Sequence, residues 1–225
     1  MVIGSGLIGK KFEQCENEDL LIFASGVSNS KLNDENELLR ERNLIASALV
    51  NNPGRIFVYF STYSINDPVV KNNLYVSHKL NMESFIRENS SRYLIVRTSN
   101  IVGPNSSNPH TIINYLVNHI KELSSFELWK NSYRNILDID HLYAMVLKVV
   151  ELNMLNQTLY LLNPVSLNMV DIVETVESFL QIKANYKVLD IGSYFEVDKS
   201  LSMQLFKALN IGQDDYLLRT LKKYY

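Results

Sequence analysis

Val2-Ile3-Gly4-Ser5-Gly6-Leu7-Ile8-Gly9-Lys10-Lys11 is the stretch on which the reading of this chain turns. Val2 and Ile3 read as the tail of a strand. Three glycines within six residues then give a turn, and a helix is expected from about Leu7 to Cys15. Gly-x-Gly-x-x-Gly between a strand and a helix suits a dinucleotide. The first glycine permits the tight turn, the second lets the backbone approach a pyrophosphate, and the third lets the helix pack close to the strand. The helix start adds free N–H groups and the positive end of its dipole. On this reading Gly4, Gly6, Leu7, Ile8 and Gly9 are cofactor-binding candidates. Ordinary turns also use glycines in this way, so the pattern alone leaves a purely structural turn open.

The rest of the chain alternates strand and helix patterns. Leu20 to Ala24 is wholly apolar and ends in Ser25-Gly26, as a buried parallel strand does. Glu35 to Val50 has helical spacing, with Leu38, Leu39, Ile45 and Leu49 as the inward face. Arg55–Phe60 and Tyr93–Arg97 read as strands and Leu74–Glu88 as a helix between them. Asn100–Pro109 reads as a loop, Thr111–Leu123 and His141–Leu152 as helices, and Ile136–Ile139 and Leu159–Leu162 as extended segments. Val170–Leu180 is helical, Tyr186–Leu189 extended, and the tail from Lys199 helical with a break at Ile211-Gly212. The expected fold is α/β: a Rossmann-like, doubly wound parallel sheet with helices on both faces. The whole is read as a single domain, with its core at about 1–100 plus 134–152. A small substrate-binding part is expected at about 101–133 and 153–225.

Bulk properties narrow the function. The chain has 225 residues, 46% hydrophobic and 20% charged, an ordinary globular composition. A net charge of -2 supplies no basic field for nucleic acid or an acidic membrane. No apolar run nears the roughly 18 residues of a membrane span. Cys15 is the only cysteine, which fits a reducing compartment, and no secretory signal is apparent, so a soluble cytoplasmic protein is expected. No His/Asp/Glu cluster has metal-ligand spacing.

Tyr75-Val-Ser-His-Lys79 puts a phenol and an ammonium one helical turn apart on one face. An unperturbed tyrosine titrates near 10, high for acid/base work at neutral pH. A nearby lysine is expected to lower that value. Thr62, at the carboxyl end of a strand, can hydrogen-bond a reacting oxygen there, and Ser61 is second to it. With 13 tyrosines in the chain, a chance Tyr-x-x-x-Lys remains open. The glycine turn upstream and Ser61-Thr62 between them favour a catalytic set of Thr62, Tyr75 and Lys79. His78 is expected to point off the Tyr75/Lys79 face, Cys15 to be a packing residue and His141 a helix-start feature. His110, beside the Asn100–Pro109 loop, is a weak candidate.

Taken together, these segments resemble the extended short-chain dehydrogenase/reductases that act on nucleotide sugars, often labelled NAD-dependent epimerase/dehydratases. The glycine turn matches their cofactor loop, and Phe23-Ala24-Ser25-Gly26 matches the strand end that usually reads His-x-Ala-Ala. Ser61-Thr62 and the Tyr75/Lys79 pair match the active-site segments. Arg97-Thr-Ser-Asn100-Ile-Val-Gly103-Pro104 matches an Arg-x-x-Asn-x-x-Gly-Pro run. Arg134-Asn-Ile-Leu-Asp138-Ile and Leu162-Asn163-Pro-Val-Ser166 match two later segments. The resemblance implies that Tyr75 is the acid/base and that Lys79 is its electrostatic partner and a cofactor-ribose ligand. It implies that Thr62 positions the reacting oxygen, that Ala24, Ser25 and Gly26 line the cofactor, and that Ser61, Asn100 and Arg134 contact substrate. The implied cofactor is NAD or NADP and the implied partner a nucleotide sugar. A homodimer through the helices near Glu35–Val50 and Leu74–Glu88 is implied too.

Two departures shape the expectation. Only about ten residues separate Gly9 from the strand at Leu20, where the family has two further strands and a helix. The half of the sheet that holds adenosine is therefore expected to be reduced, and Glu18 and Asp19 precede a strand rather than end one. Tyr63-Ser64 replaces the acidic pair of the family's 4,6-dehydratases, which disfavours dehydration. The expected activity is NAD(P)H-dependent reduction of a keto group on a nucleotide-activated sugar. A 4-epimerase, or a non-catalytic family member serving as a binding or scaffold subunit, is the alternative.

Overall fold

The computed structural model describes residues 1–27, 34–69, 71–104 and 111–225. The chain divides into two compact units, residues 1–98 with 143–161 and residues 99–142 with 162–225. The second run of the first unit starts inside the helix Ile139–Glu151, so 134–142 groups with the second unit and 153–161 with the first.

The first unit is built on a five-stranded parallel sheet. Its strands are β1 (Val2–Ile3), β2 (Leu20–Phe23), β3 (Ile56–Thr62), β4 (Tyr93–Thr98) and β8 (Gln157–Tyr160), in the order β1-β2-β3-β4-β8. β2 and β3 are buried along their whole length, as strands covered on both faces must be. Successive side chains alternate between faces. Leu21, Phe23, Phe57, Tyr59 and Ile95 point to α2 (Glu35–Asn51) and α3 (Leu74–Asn89), meeting Ile45, Ala48, Met82 and Ile86. On the opposite face Phe12 of α1 (Leu7–Phe12) lies 5.6 Å from the ring of Phe60 and 5.0 Å from that of Tyr143 in α5 (Ile139–Glu151). Helices thus cover both faces, as expected.

The reduced half is plain in the strand order. Among the described residues β1 is an edge strand, joined only to β2 through Val2–Ile22 and Ile3–Phe23. Strand order advances in one direction from β1 to β4, while α1 lies across the sheet from α2 and α3. The β1–α1–β2 crossover therefore has the opposite hand to the two that follow, an arrangement that parallel crossovers rarely adopt.

Side-chain caps start the long helices. Asp34 accepts from the N–H of Asn36 at α2, and Asn73 from that of Val76 at α3. On α2 the inward residues are Glu41, Ile45 and Ala48, whereas Leu39, expected inward, is exposed.

The second unit carries short strands. β5 (Asn100–Val102), β7 (Tyr133–Asp138) and β9 (Ser166–Asn168) form a mixed three-stranded sheet, and β6 (Phe126–Trp129) pairs with β10 (Tyr186–Leu189). β5 lies where a loop was expected. Helices α4 (Ile112–Lys121), α6 (Met169–Leu180) and α8 (Tyr216–Tyr224) pack Leu116, Ile120, Ile172, Val176 and Leu221 into one core, and α7 (Ser200–Ala208) precedes α8. Among the described residues no helix is long and apolar enough to cross a membrane.

Candidate active site

The glycine turn has three different environments. Gly4 has φ of 118°, and a side chain there would put its Cβ 2.4 Å from the Ala24 carbonyl oxygen. At Gly9 a Cβ would fall 2.1 Å from the carbonyl oxygen of Gly4. These two glycines are required by the close approach of α1, β1 and the end of β2. Gly6 differs: nothing lies within 4 Å of its missing Cβ, and it caps α1 without a side-chain hydrogen bond. The open face at Gly6 and the first N–H groups of α1, at Leu7 and Ile8, are free of intrahelical partners and suited to an anionic ligand.

Ala24, Ser25 and Gly26 follow β2 beside this turn. The N–H of Ala24 donates to Ile3 O at 2.7 Å. Arg40 of α2 donates to Ser25 Oγ and to Ser25 O, at 3.1 and 3.2 Å, with its Nε on Glu37. At Gly26 a Cβ would stand 2.7 Å from Lys79 Nζ and 2.9 Å from Glu41 Oε1. Gly26 thus makes room for an ion pair.

Thr62, Tyr75 and Lys79 are buried and come together in the first unit. Thr62 ends β3 and caps the short turn that follows, its Oγ1 accepting from Ser64 N at 3.1 Å. That leaves its hydroxyl proton for the Tyr75 phenol, to which Thr62 is hydrogen-bonded. Ser61 faces elsewhere: its hydroxyl donates to Glu83 Oε1 at 2.7 Å, and Glu83 is also gripped by Arg97 at 2.8 Å. Burial pushes Tyr75 up to about 12, the Thr62 hydrogen bond opposing and the charge of Glu41 adding. The lowering expected from Lys79 is not found, because that ammonium is engaged elsewhere.

Its partner is Glu41, fully buried on α2. Glu41 Oε1 lies 3.0 Å from Lys79 Nζ and accepts from the Tyr59 hydroxyl at 2.6 Å. Lys79 Nζ also donates to Tyr59 Oη at 3.1 Å. The second carboxylate oxygen meets His78 Nε2 at 3.0 Å and the N–H of Val27 at 2.7 Å. Burial alone would raise the Glu41 carboxyl, but His78, Lys79, Tyr59 and Val27 together bring it down to about 2. Burial lowers Lys79 below the ordinary lysine value, against the pull of Glu41 and Glu83. Both members of the pair move downward because desolvation of the lysine outweighs its attraction to the carboxylate. Burial and Glu41 hold Tyr59 well above the usual tyrosine range.

His78, expected off this face, shares its carboxylate with Lys79. Glu41, Tyr59 and His78 were missed as site residues. One signal was available: Glu41, Ile45 and Ala48 stand at i, i+4 and i+7, an inward stripe with an acid in it.

The other expected residues belong to the second unit. Asn100 on β5 donates from Nδ2 to Asn135 O at 3.1 Å, and Arg134 on β7 donates to Tyr133 O at 2.8 Å. Next to Arg134, Asn135 is fully buried, accepting from the Ser99 hydroxyl and exchanging hydrogen bonds with Asn163. His141 bonds the Tyr216 hydroxyl at 2.6 Å. His110 lies outside the described residues.

Residues 25–160 match the model of the NAD dependent epimerase/dehydratase family. The chain belongs to that family. Several solved structures superpose on the α/β frame seen here. RMD from Pseudomonas aeruginosa, in complex with NADPH, is 15% identical, with 99% of this chain and 96% of that one covered and a TM-score of 0.75. UDP-glucuronic acid 4-epimerase from Bacillus cereus, with UDP-glucuronic acid and NAD, is 13% identical over 98% of this chain and 77% of that one, with a TM-score of 0.70. A dTDP-4-dehydrorhamnose reductase from Clostridium acetobutylicum is 16% identical over 96% and 83%, with a TM-score of 0.68. No curated protein matched the sequence.

Proposed function

We propose that this family member reduces a keto group on a nucleotide-activated sugar, using NADH or NADPH. The observation that carries the reading is the buried Thr62–Tyr75 pair on one side of the Lys79–Glu41 ion pair, with the phenol protonated at neutral pH. A protonated phenol is a proton donor, which reduction requires. Its partner residues suit the cofactor class: an open glycine at the head of α1, and a buried lysine against the strand end Ala24–Gly26. Bound NAD(P)H would supply the hydride.

With substrate bound, the Thr62 hydroxyl turns its proton from Tyr75 to the reacting oxygen and holds that oxygen beside Tyr75. Tyr75 gives that oxygen its phenolic proton as the carbonyl carbon becomes an alcohol carbon. Lys79 directs a remaining N–H toward the cofactor ribose. Acid catalysis of this kind is worth on the order of 10²–10⁴ in rate. Asn100 and Arg134 are proposed substrate ligands, the guanidinium suiting a diphosphate.

Reduction is preferred to 4-epimerisation because β1 is an edge strand. An epimerase must retain its oxidised cofactor through both half-reactions, and a shortened adenosine half retains it poorly. The same edge favours a second reading, a non-catalytic binding subunit. Calorimetry with NADH and NADPH separates the two: no binding of either supports the subunit. We extend the proposal to a cytoplasmic homodimer joined through α2 and α3, to be checked by light scattering. Turnover is tested by incubating the protein with nucleoside-diphosphate 4-keto sugars and NADPH or NADH. Consumption of the reduced cofactor is expected, and its absence with every such sugar would reject the reading.

A further inference from the structure

Lys79 has three N–H donors, and the buried network takes two of them. One goes to Glu41 Oε1 at 3.0 Å and one to Tyr59 Oη at 3.1 Å. Tyr59 in turn donates to the same Glu41 oxygen at 2.6 Å, closing a three-membered ring of hydrogen bonds. Glu41 is itself over-determined, since His78 and the Val27 N–H hold its other oxygen. The carboxylate therefore cannot turn away from the lysine without abandoning four partners. Gly26 completes the enclosure, because any side chain there would enter the space of both charged groups.

The second buried carboxylate nearby does not compete for this role. Glu83 is taken by Arg97 from β4 at 2.8 Å and by the Ser61 hydroxyl at 2.7 Å, with Arg87 at 3.4 Å. Each buried acid thus has its own cation. The charged and titratable groups around Tyr75 and Lys79, among the described residues, are Glu41 from α2, Tyr59 from β3, and His78 and Glu83 from α3.

The geometry points to Glu41 as a positioning residue that acts through Lys79. It fixes the ammonium so that one N–H is left for a ligand, and it cancels the positive charge that would otherwise draw the proton from Tyr75. A lone lysine beside a tyrosine favours the phenolate, the base needed to oxidise an alcohol. A lysine paired with a fixed carboxylate exerts less of that pull. The electrostatic surroundings of Tyr75 are consequently set in part from α2, by Glu41. The upward displacement of Tyr75, to which Glu41 contributes, accords with this.

The inference rests on the reading of Tyr75 as the acid, so its test does not use turnover. Protein labelled with ¹³C at tyrosine Cζ is titrated by NMR, with Tyr75→Phe to assign the resonance. In the wild type, Tyr75 is expected to stay a phenol up to the highest pH at which the fold is retained. In Glu41→Gln its midpoint is expected to fall by roughly one pH unit or more, the effect of removing one close charge. An unchanged or raised midpoint in the variant overturns the inference. Should Glu41→Gln fail to fold, the wild type still decides: a Tyr75 titrating at or below the ordinary value of about 10 overturns it. If the titrations behave as expected and no keto sugar is reduced, the reductase reading fails and the role of Glu41 in poising Tyr75 stands.

Discussion

Glu41 Oε1 and Lys79 Nζ lie 3.0 Å apart with both side chains out of solvent, and the missing side chain of Gly26 is what admits them. An ion pair in that setting has consequences for stability, pH response and chemistry.

Glu41→Ala leaves the Lys79 ammonium and the Tyr59 hydroxyl buried without their acceptor. The expected loss of unfolding free energy is about 3–5 kcal/mol, the cost of breaking a buried pair from one side. Denaturant titration measures it. A loss within the range of an ordinary surface substitution would show that the pair is dispensable.

The pair also makes stability depend on acid. The Glu41 carboxyl sits at about 2 in the fold against an ordinary 4.5. A depressed carboxyl contributes stability above its unfolded value and loses it as pH falls toward the folded one. The wild type is therefore expected to weaken from about pH 4.5 downward, and the gap between it and Glu41→Gln to close over the same window. Melting temperatures measured from neutral to acid pH check this. A gap that stays constant would assign the acid sensitivity to other groups.

The three glycines of the turn should respond differently to alanine. Gly4→Ala and Gly9→Ala drive a Cβ into backbone carbonyls at 2.4 and 2.1 Å, and each is expected to destabilise by about 1–3 kcal/mol or more. Gly6→Ala meets nothing within 4 Å and should melt like the wild type, while weakening NAD(P)H binding in calorimetry. Wild-type affinity in a stable Gly6→Ala protein would remove the turn from the cofactor site.

In the second unit, Tyr216 accepts from the N–H of Asp138 at 3.0 Å and meets His141 Nδ1 at 2.6 Å. Tyr216→Phe leaves a buried backbone donor unpaired. A loss of about 1–3 kcal/mol is expected from denaturant titration, with no effect on the midpoint of Tyr75.

Much of the first unit was legible because its signals are local. The apolar runs of β2 and β3 and the Tyr75/Lys79 spacing each need only a short window of sequence. β5, β6 and β9 were not legible, since strands of three or four residues carry almost no periodicity. Leu39 was placed inward by helical spacing, yet the stripe on α2 is rotated to bury Glu41 instead. Its own helix sets that acid on the inward stripe with Ile45 and Ala48 but shows nothing that would hold its charge. Its partners lie 18, 37 and 38 residues away, and only the folded sheet brings them to it. Ser61 and Thr62 are adjacent in sequence and opposite in direction, as the pleat of β3 requires.

The most direct measurement is the consumption of NADPH or NADH with nucleoside-diphosphate 4-keto sugars, run side by side on the wild type and on Tyr75→Phe. The wild type is predicted to oxidise the cofactor in proportion to alcohol formed, and Tyr75→Phe to be slower by about 10²–10⁴. No turnover by the wild type with any of these sugars, or equal rates in the two proteins, would contradict the assignment of Tyr75 as the proton donor of a reductase.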